Sequence, residues 1–140
     1  MTKCKTIMVV DGQGGGLGKA IVEKIKKLSM EARVVAVGTN TNATTAMLKA
    51  GADDAATGEN AVVYNAGYAD FILGGVGIIA ANSMLGEISP VMAAAIASSM
   101  AQKILIPINK CNLYVAGVSD ISLAEKIDEA LLNISLDREG

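Results

Sequence analysis

Five glycines fall within the seven residues 12–18, in the stretch Asp11-Gly12-Gln13-Gly14-Gly15-Gly16-Leu17-Gly18-Lys19. An uncharged, largely apolar run, Thr6–Val10, precedes it and reads as a buried strand. After it, Leu17, Ile21, Ile25 and Leu28 recur at helical spacing, with Lys19, Glu23, Lys26 and Lys27 on the opposite face. Glycines at a strand-to-helix turn permit a tight reversal and a close backbone approach, and they leave the helix N-terminus uncovered by side chains. A chain with this opening is constrained to a β-turn-α unit whose next strand lies beside the first.

The rest of the chain repeats the alternation. Val34–Val37 predicts a second strand closed by Gly38, and the polar Thr39–Thr45 leads into a short helix, Ala46–Ala50, that stops at Gly51. Asp53–Gly58 predicts a third strand, Glu59–Gly67 a helix and Phe71–Leu73 a fourth strand. Ser89-Pro90 is a helix start, with Ser as cap and Pro at the first helical position, and the helix runs to about Met100 with Val91, Met92, Ile96 and alanines on every side. Ile104–Ile108 predicts a fifth strand, which Pro107 places at an edge or ends. Leu113–Val118 predicts a sixth, and Asn109–Asn112 is too short a connection for a parallel crossover, so the last two strands are antiparallel or not paired at all. Ser122 and Glu125 form a capping box before a helix striped by Leu123, Ile127, Leu131 and Ile134. The expectation is a three-layer α/β, Rossmann-like domain over residues 1–140. Its sheet is mostly parallel, with five or six strands and one antiparallel C-terminal edge hairpin.

Composition narrows the function. The chain has 140 residues, room for one domain and not for a cofactor domain with a separate substrate domain. It contains no His, which excludes His-dependent triads, imidazole bases and His-ligated metals. Twelve basic against fourteen acidic residues give a net charge of −2, and aromatics make up 3%, so a nucleic-acid partner is not expected. Two cysteines, Cys4 and Cys111, form neither a disulfide framework nor a metal pair, which suits the cytoplasm. Phe71–Gly86, the longest uncharged run, is too short for a membrane span and is interrupted by Gly74, Gly75 and Gly77.

The glycine loop is the candidate phosphate or nucleotide site, built from Gly12, Gln13, Gly14, Gly15, Gly16, Leu17 and Gly18. The competing reading is a tight turn without a ligand. Gly12, Gly16 and Gly18 match the GxxxGxG spacing of short-chain dehydrogenases, but the YxxxK pair of that family is absent: Tyr64, Tyr68 and Tyr114 are followed four residues on by Tyr68, Ile72 and Val118. Gly18-Lys19 ends like a Walker loop, although Gln13 and Ala20 break that pattern. No acid stands at Gly38-Thr39-Asn40, the end of the second strand, which disfavours NAD and leaves NADP or another nucleotide as the cofactor class. Thr39, Asn40, Gly74, Gly75, Gly77, Asn82, Ser83 and Asn109 complete the candidate binding set. Asp11, Glu87 and Lys110 are the candidate catalytic groups; for Asp11 the commoner task is turn capping, and Cys111 would be a nucleophile only with a lowered pKa. No metal ligands are assigned.

Asp11-Gly12-Gln13-Gly14-Gly15-Gly16, Gly38-Thr39-Asn40, Ala56-Thr57-Gly58-Glu59-Asn60, Asn82-Ser83-Met84-Leu85-Gly86-Glu87-Ile88 and Ile106-Pro107-Ile108-Asn109-Lys110-Cys111-Asn112 together resemble a family of short bacterial proteins catalogued as a domain of unknown function. The resemblance implies a single-domain cytoplasmic protein and no particular activity. The residues themselves lead to a small protein that binds a nucleotide, dinucleotide or other phosphorylated ligand. The alternatives are a compact NADP-linked reductase or nucleotide-dependent transferase, and a non-enzymatic partner protein with no ligand. The helix after Pro90, apolar all round, predicts a homodimer.

Overall fold

The computed structural model describes residues 4–108 and 112–136. Its elements are β1 (Lys5–Asp11), α1 (Gly16–Lys27), β2 (Ala32–Gly38), α2 (Thr41–Lys49), β3 (Asp54–Thr57), α3 (Glu59–Ala66), β4 (Phe71–Gly75), a 3₁₀ turn (Val76–Ile79), α4 (Pro90–Ser98), β5 (Gln102–Ile106) and α5 (Leu123–Leu132). The strands form one sheet in the order β3-β2-β1-β4-β5, and every pairing is parallel. β1 is central because its side chains are apolar on both faces. Ile7 and Val9 pack with Ile21, Val22 and Ile25 of α1, Met47 of α2 and Ile127 and Leu131 of α5. Met8 and Val10 face the other way, toward Val62 of α3 and Met92 and Ile96 of α4. The sheet is thus covered on both sides, as parallel sheets require.

Local signals act where they stand. The Asn40 side chain accepts from the Ala43 N–H to cap α2, the Ser89 hydroxyl accepts from the Met92 N–H to start α4, and Ser122 with Glu125 opens α5. Among the described residues β5 pairs only with β4, and Pro107 follows its last residue.

The antiparallel edge hairpin is not formed. Leu113–Val118 is not a strand, and among the described residues all five strands are parallel. The reason lies in the side chains of that segment. Tyr114 is 90% exposed and Leu113, Val115 and Val118 are partly exposed, so the run has no face to bury against the sheet, and Gly117 turns with φ +80°. Its last residues, Gly117 and Val118, border the groove between β5 and α5 instead. Leu28 and Leu123, expected on apolar stripes, lie at helix ends and are about half exposed.

α4 has two apolar faces with different fates. Met92, Ala93 and Ile96 are buried against α3 and the 3₁₀ turn, while Val91, Ala94 and Ala97 face outward. No helix among the described residues is long and apolar enough to cross a membrane.

Candidate functional site

β1 and β4 are neighbours at the centre of the sheet, and the chain leaves them toward opposite faces, α1 on one side and α4 on the other. This is the switch point at which open α/β sheets form a crevice beyond the strand ends. A cleft of about 240 Å³ lies there, lined by Asp11, Gly12, Gln13, Gly14, Gly15, Gly16, Leu17, Met84 and Ile108.

Asp11 is a structural brace for the loop. Its Oδ1 accepts from the Gly12 N–H at 2.8 Å and its Oδ2 from the Gly18 N–H at 2.7 Å, tying both ends of the turn to the end of β1. That is the capping role expected of Asp before Gly. The glycines then divide by what a side chain would meet. At Gly12 a Cβ would stand 2.6 Å from Thr39 Oγ1 and 2.8 Å from Glu87 Oε1. Gly15 has φ +75° and abuts the Ala43 backbone, and Gly18 abuts Met47 and Asp11. Gly14 and Gly16 differ: a Cβ at either meets nothing within 4 Å, and neither has a positive φ. The fold therefore has no packing use for glycine at these two positions.

The N–H groups of Gly14, Gly16 and Leu17 have no hydrogen-bond partner among the described residues. These are donors at the first turn of α1, where the helix dipole is positive.

Glu87 reaches this loop from the segment before α4. Its Oε1 accepts from the Gln13 N–H at 2.8 Å, the Thr39 hydroxyl at 2.5 Å and the Asn40 side-chain amide at 3.0 Å. Asn40 also donates to the Gln13 carbonyl. Glu87, one of the candidate catalytic groups, is thus partly buried and bonded to the glycine loop. The segment that carries it turns through positive φ at Asn82 (66°), Met84 (57°), Leu85 (56°) and Gly86 (90°). Left-handed non-glycine residues cost on the order of 1 kcal/mol each and are retained where surrounding structure compels them. Here the Asn82 N–H bonds the Ile88 carbonyl, and the Ser83 hydroxyl donates to the Gly77 carbonyl at 2.5 Å.

The Glu87 carboxyl is held below its ordinary value of 4.5, chiefly by the Gln13 N–H and then by the Thr39 hydroxyl; partial burial opposes them and the Asn40 amide adds to them. A carboxylate favoured by folding stabilises the chain above its unfolded pKa, and that share is lost as pH falls through the lowered folded value. The stability advantage of wild type over Glu87→Gln, measured by urea unfolding, is expected to shrink as pH drops below about 4.5 and to level off further down. A difference that stays constant from about pH 7 to pH 3 would overturn this.

The candidate residues do not all converge. Gly12 to Leu17 line the cleft, with Gly18 behind them, and Thr39 and Asn40 join the loop through Glu87. Gly74 and Gly75 are at the end of β4, where a Cβ on Gly74 would stand 2.7 Å from the Val10 carbonyl oxygen and one on Gly75 would strike Ile108, so each has a packing reason. Gly77, Asn82 and Ser83 hold the strained turn. Lys19 is exposed and lines a separate depression with Glu23 and α2 residues, away from the cleft, so the Walker-like reading loses its lysine. Asn109, Lys110 and Cys111 lie outside the described residues. Sequence reasoning missed Met84 and Ile108 as cleft walls, since a Met in a turn and an Ile after a Pro carry no local mark of that position. No group of His, Cys, Asp and Glu among the described residues gathers as a metal site.

Fold and site define a parallel α/β protein of Rossmann strand order with a glycine-rich turn opening its first helix. The chain belongs to the family described as a domain of unknown function (DUF3842), which matches residues 6–137. No curated protein matches it. Among solved structures it is similar to a dodecameric FMN-dependent Ubix-like decarboxylase from Escherichia coli O157:H7, with 16% identity and a TM-score of 0.43 over 91% of this chain and 75% of that chain.

Proposed function

We propose that the protein binds a small phosphorylated ligand of nucleotide type at the Gly12–Gly18 loop. The observation that carries this reading is the pair Gly14 and Gly16, which lack side chains without any demand from packing or backbone conformation, next to unengaged N–H donors at the start of α1. Such donors suit a phosphate because they supply positive potential without a mobile cation. The cleft volume, about 240 Å³, is at the small end for ligand sites, which fits a phosphate with its sugar and leaves the rest of a larger ligand outside. Asp11 is occupied with loop N–H groups, so no reaction is assigned to it. A thermal-shift panel of AMP, ADP, ATP, GTP, FMN, FAD, NAD and NADP tests the reading. Stabilisation by about 2.7 kcal/mol at 100 times the dissociation constant is expected for a binder, unchanged in Lys19→Ala. If no member shifts the wild type, the non-enzymatic reading moves ahead.

We infer also that two copies pair through the outer face of α4. On that face Val91 is 56% exposed, and Ala94 and Ala97 are exposed at the same helical spacing. Sedimentation at micromolar concentration is expected to show a dimer that Val91→Glu converts to monomer; a wild-type monomer would refute it.

A further inference from the structure

Met84, Leu85 and Gly86 turn in succession through left-handed φ angles of 57°, 56° and 90°, close behind Asn82 at 66°. Side chains enter that region singly rather than in runs, because the Cβ crowds the following carbonyl. Packing does not compel it at Leu85, which is 98% exposed. The base of the segment is pinned. The Asn82 N–H donates to the Ile88 carbonyl, the buried Ser83 hydroxyl donates to the Gly77 carbonyl, and Ile78 and Ile88 are fully buried. The strain is therefore concentrated in the tip, residues 84–86, and something must hold that tip down.

Glu87, the next residue, does so. Its Oε1 accepts from the Gln13 N–H, the Thr39 hydroxyl and the Asn40 amide, all of which belong to other loops. Met84 meanwhile forms a wall of the cleft beside Gly12 to Leu17. The tip rests directly on the glycine loop: a Cβ on Gly12 would stand 2.8 Å from both Met84 Sδ and Glu87 Oε1. Charge-assisted hydrogen bonds on one side thus oppose backbone strain on the other. Opposed terms of this kind leave two conformations close in free energy, so a small change moves the population between them.

We propose that residues 82–87 are a strap across the cleft, latched shut by Glu87 on Gln13, Thr39 and Asn40 and sprung by the left-handed turn at Met84, Leu85 and Gly86. Release of the latch lets the turn relax and carries Met84 away from the cleft, which widens it. The pinned base at Asn82, Ser83 and Ile88 confines the movement to the tip, so the sheet and helices stay as they are. The device needs no particular occupant of the cleft, and its test uses none.

Native-state hydrogen exchange of the full chain reads the opening at the backbone N–H groups of residues 86 and 87, which are bonded inside the strap to the carbonyls of Asn82, Ser83 and Met84. Val9 and Val35, in the central strands, report global unfolding. In wild type the strap amides should exchange through an opening that leaves the two strand amides protected. Glu87→Ala should lower protection of the strap by about tenfold or more, the range of a hydrogen bond to a charged group, with the strands unchanged. Thr39→Val, which removes one donor from the far side of the latch, should lower it by about threefold. Leu85→Gly should raise protection by about threefold, because glycine takes that φ without a Cβ and no buried contact is lost. Peroxide oxidation of Met84 should quicken in step with opening, with the buried Met8 and Met47 as slow controls. Strap amides that exchange only with the strands in wild type, a result that needs no variant, would overturn the inference. So would equal loss of protection in strap and strands in Glu87→Ala, which would make Glu87 a brace of the whole fold. Unchanged or lower protection in Leu85→Gly would show that the turn stores no strain and would also overturn it.

Discussion

Replacing Gly14 or Gly16 by valine is expected to abolish ligand binding and to leave stability within about 1 kcal/mol of the wild type. The two halves of that result have separate causes. A Cβ at either position enters open space, and neither residue needs a positive φ, so the folded chain accommodates the branched side chain. Fewer unfolded conformations are open to valine than to glycine, and valine also has the higher helix propensity at Gly16, the first residue of α1. A ligand phosphate on the loop N–H groups would need the volume those methyl groups occupy. The ligand-induced stabilisation of about 2.7 kcal/mol should therefore vanish while the unliganded melting temperature barely moves. A large drop in unliganded stability would show that the glycines serve the fold. Undiminished binding would show that the loop is not the site.

Gly74→Ala is expected to do the reverse, costing about 1–3 kcal/mol of stability, a large share of the roughly 5–15 kcal/mol typical of a domain. Gly74 lies in β4 beside β1, and an added Cβ would stand 2.7 Å from the Val10 carbonyl oxygen and 2.9 Å from Ile78 Cδ1. Ile78 has rotamers to offer, but the carbonyl belongs to a central strand paired on both sides and has nowhere to go. Relief requires a local opening of the β1–β4 seam. Urea unfolding at unchanged m-value measures the cost. A loss below about 0.5 kcal/mol, the scatter of an ordinary surface change, would refute the packing account of Gly74.

Taken together, these two substitutions separate glycines that look alike in sequence. Gly12, Gly15, Gly18 and Gly74 answer to neighbouring atoms, and Gly14 and Gly16 do not. Nothing in the spacing of the loop could sort them, because the atoms that decide are on Thr39, Ala43, Met47, Glu87 and Val10.

What the chain determined by itself is the set of features that reside within a turn or two of sequence. The apolar runs that became β1, β2, β4 and β5, the stripe of Ile21 and Ile25, the caps at Ser89 and Ser122, and the edge position marked by Pro107 were all legible, because periodicity, capping and the missing proline donor act locally. The loss of the expected hairpin at Leu113–Val118 was not legible: an apolar run is a strand only if a partner and a buried face exist for it, and tertiary structure supplied neither. The same holds for the site. Asp11 and the glycines announced a turn, but the carboxylate that borders it arrives from residue 87, positioned by a strained segment and by three donors on two other loops. Contacts between residues so far apart in the chain leave no periodic trace, and only the folded sheet, by setting the ends of β1, β2 and β4 side by side, decides them.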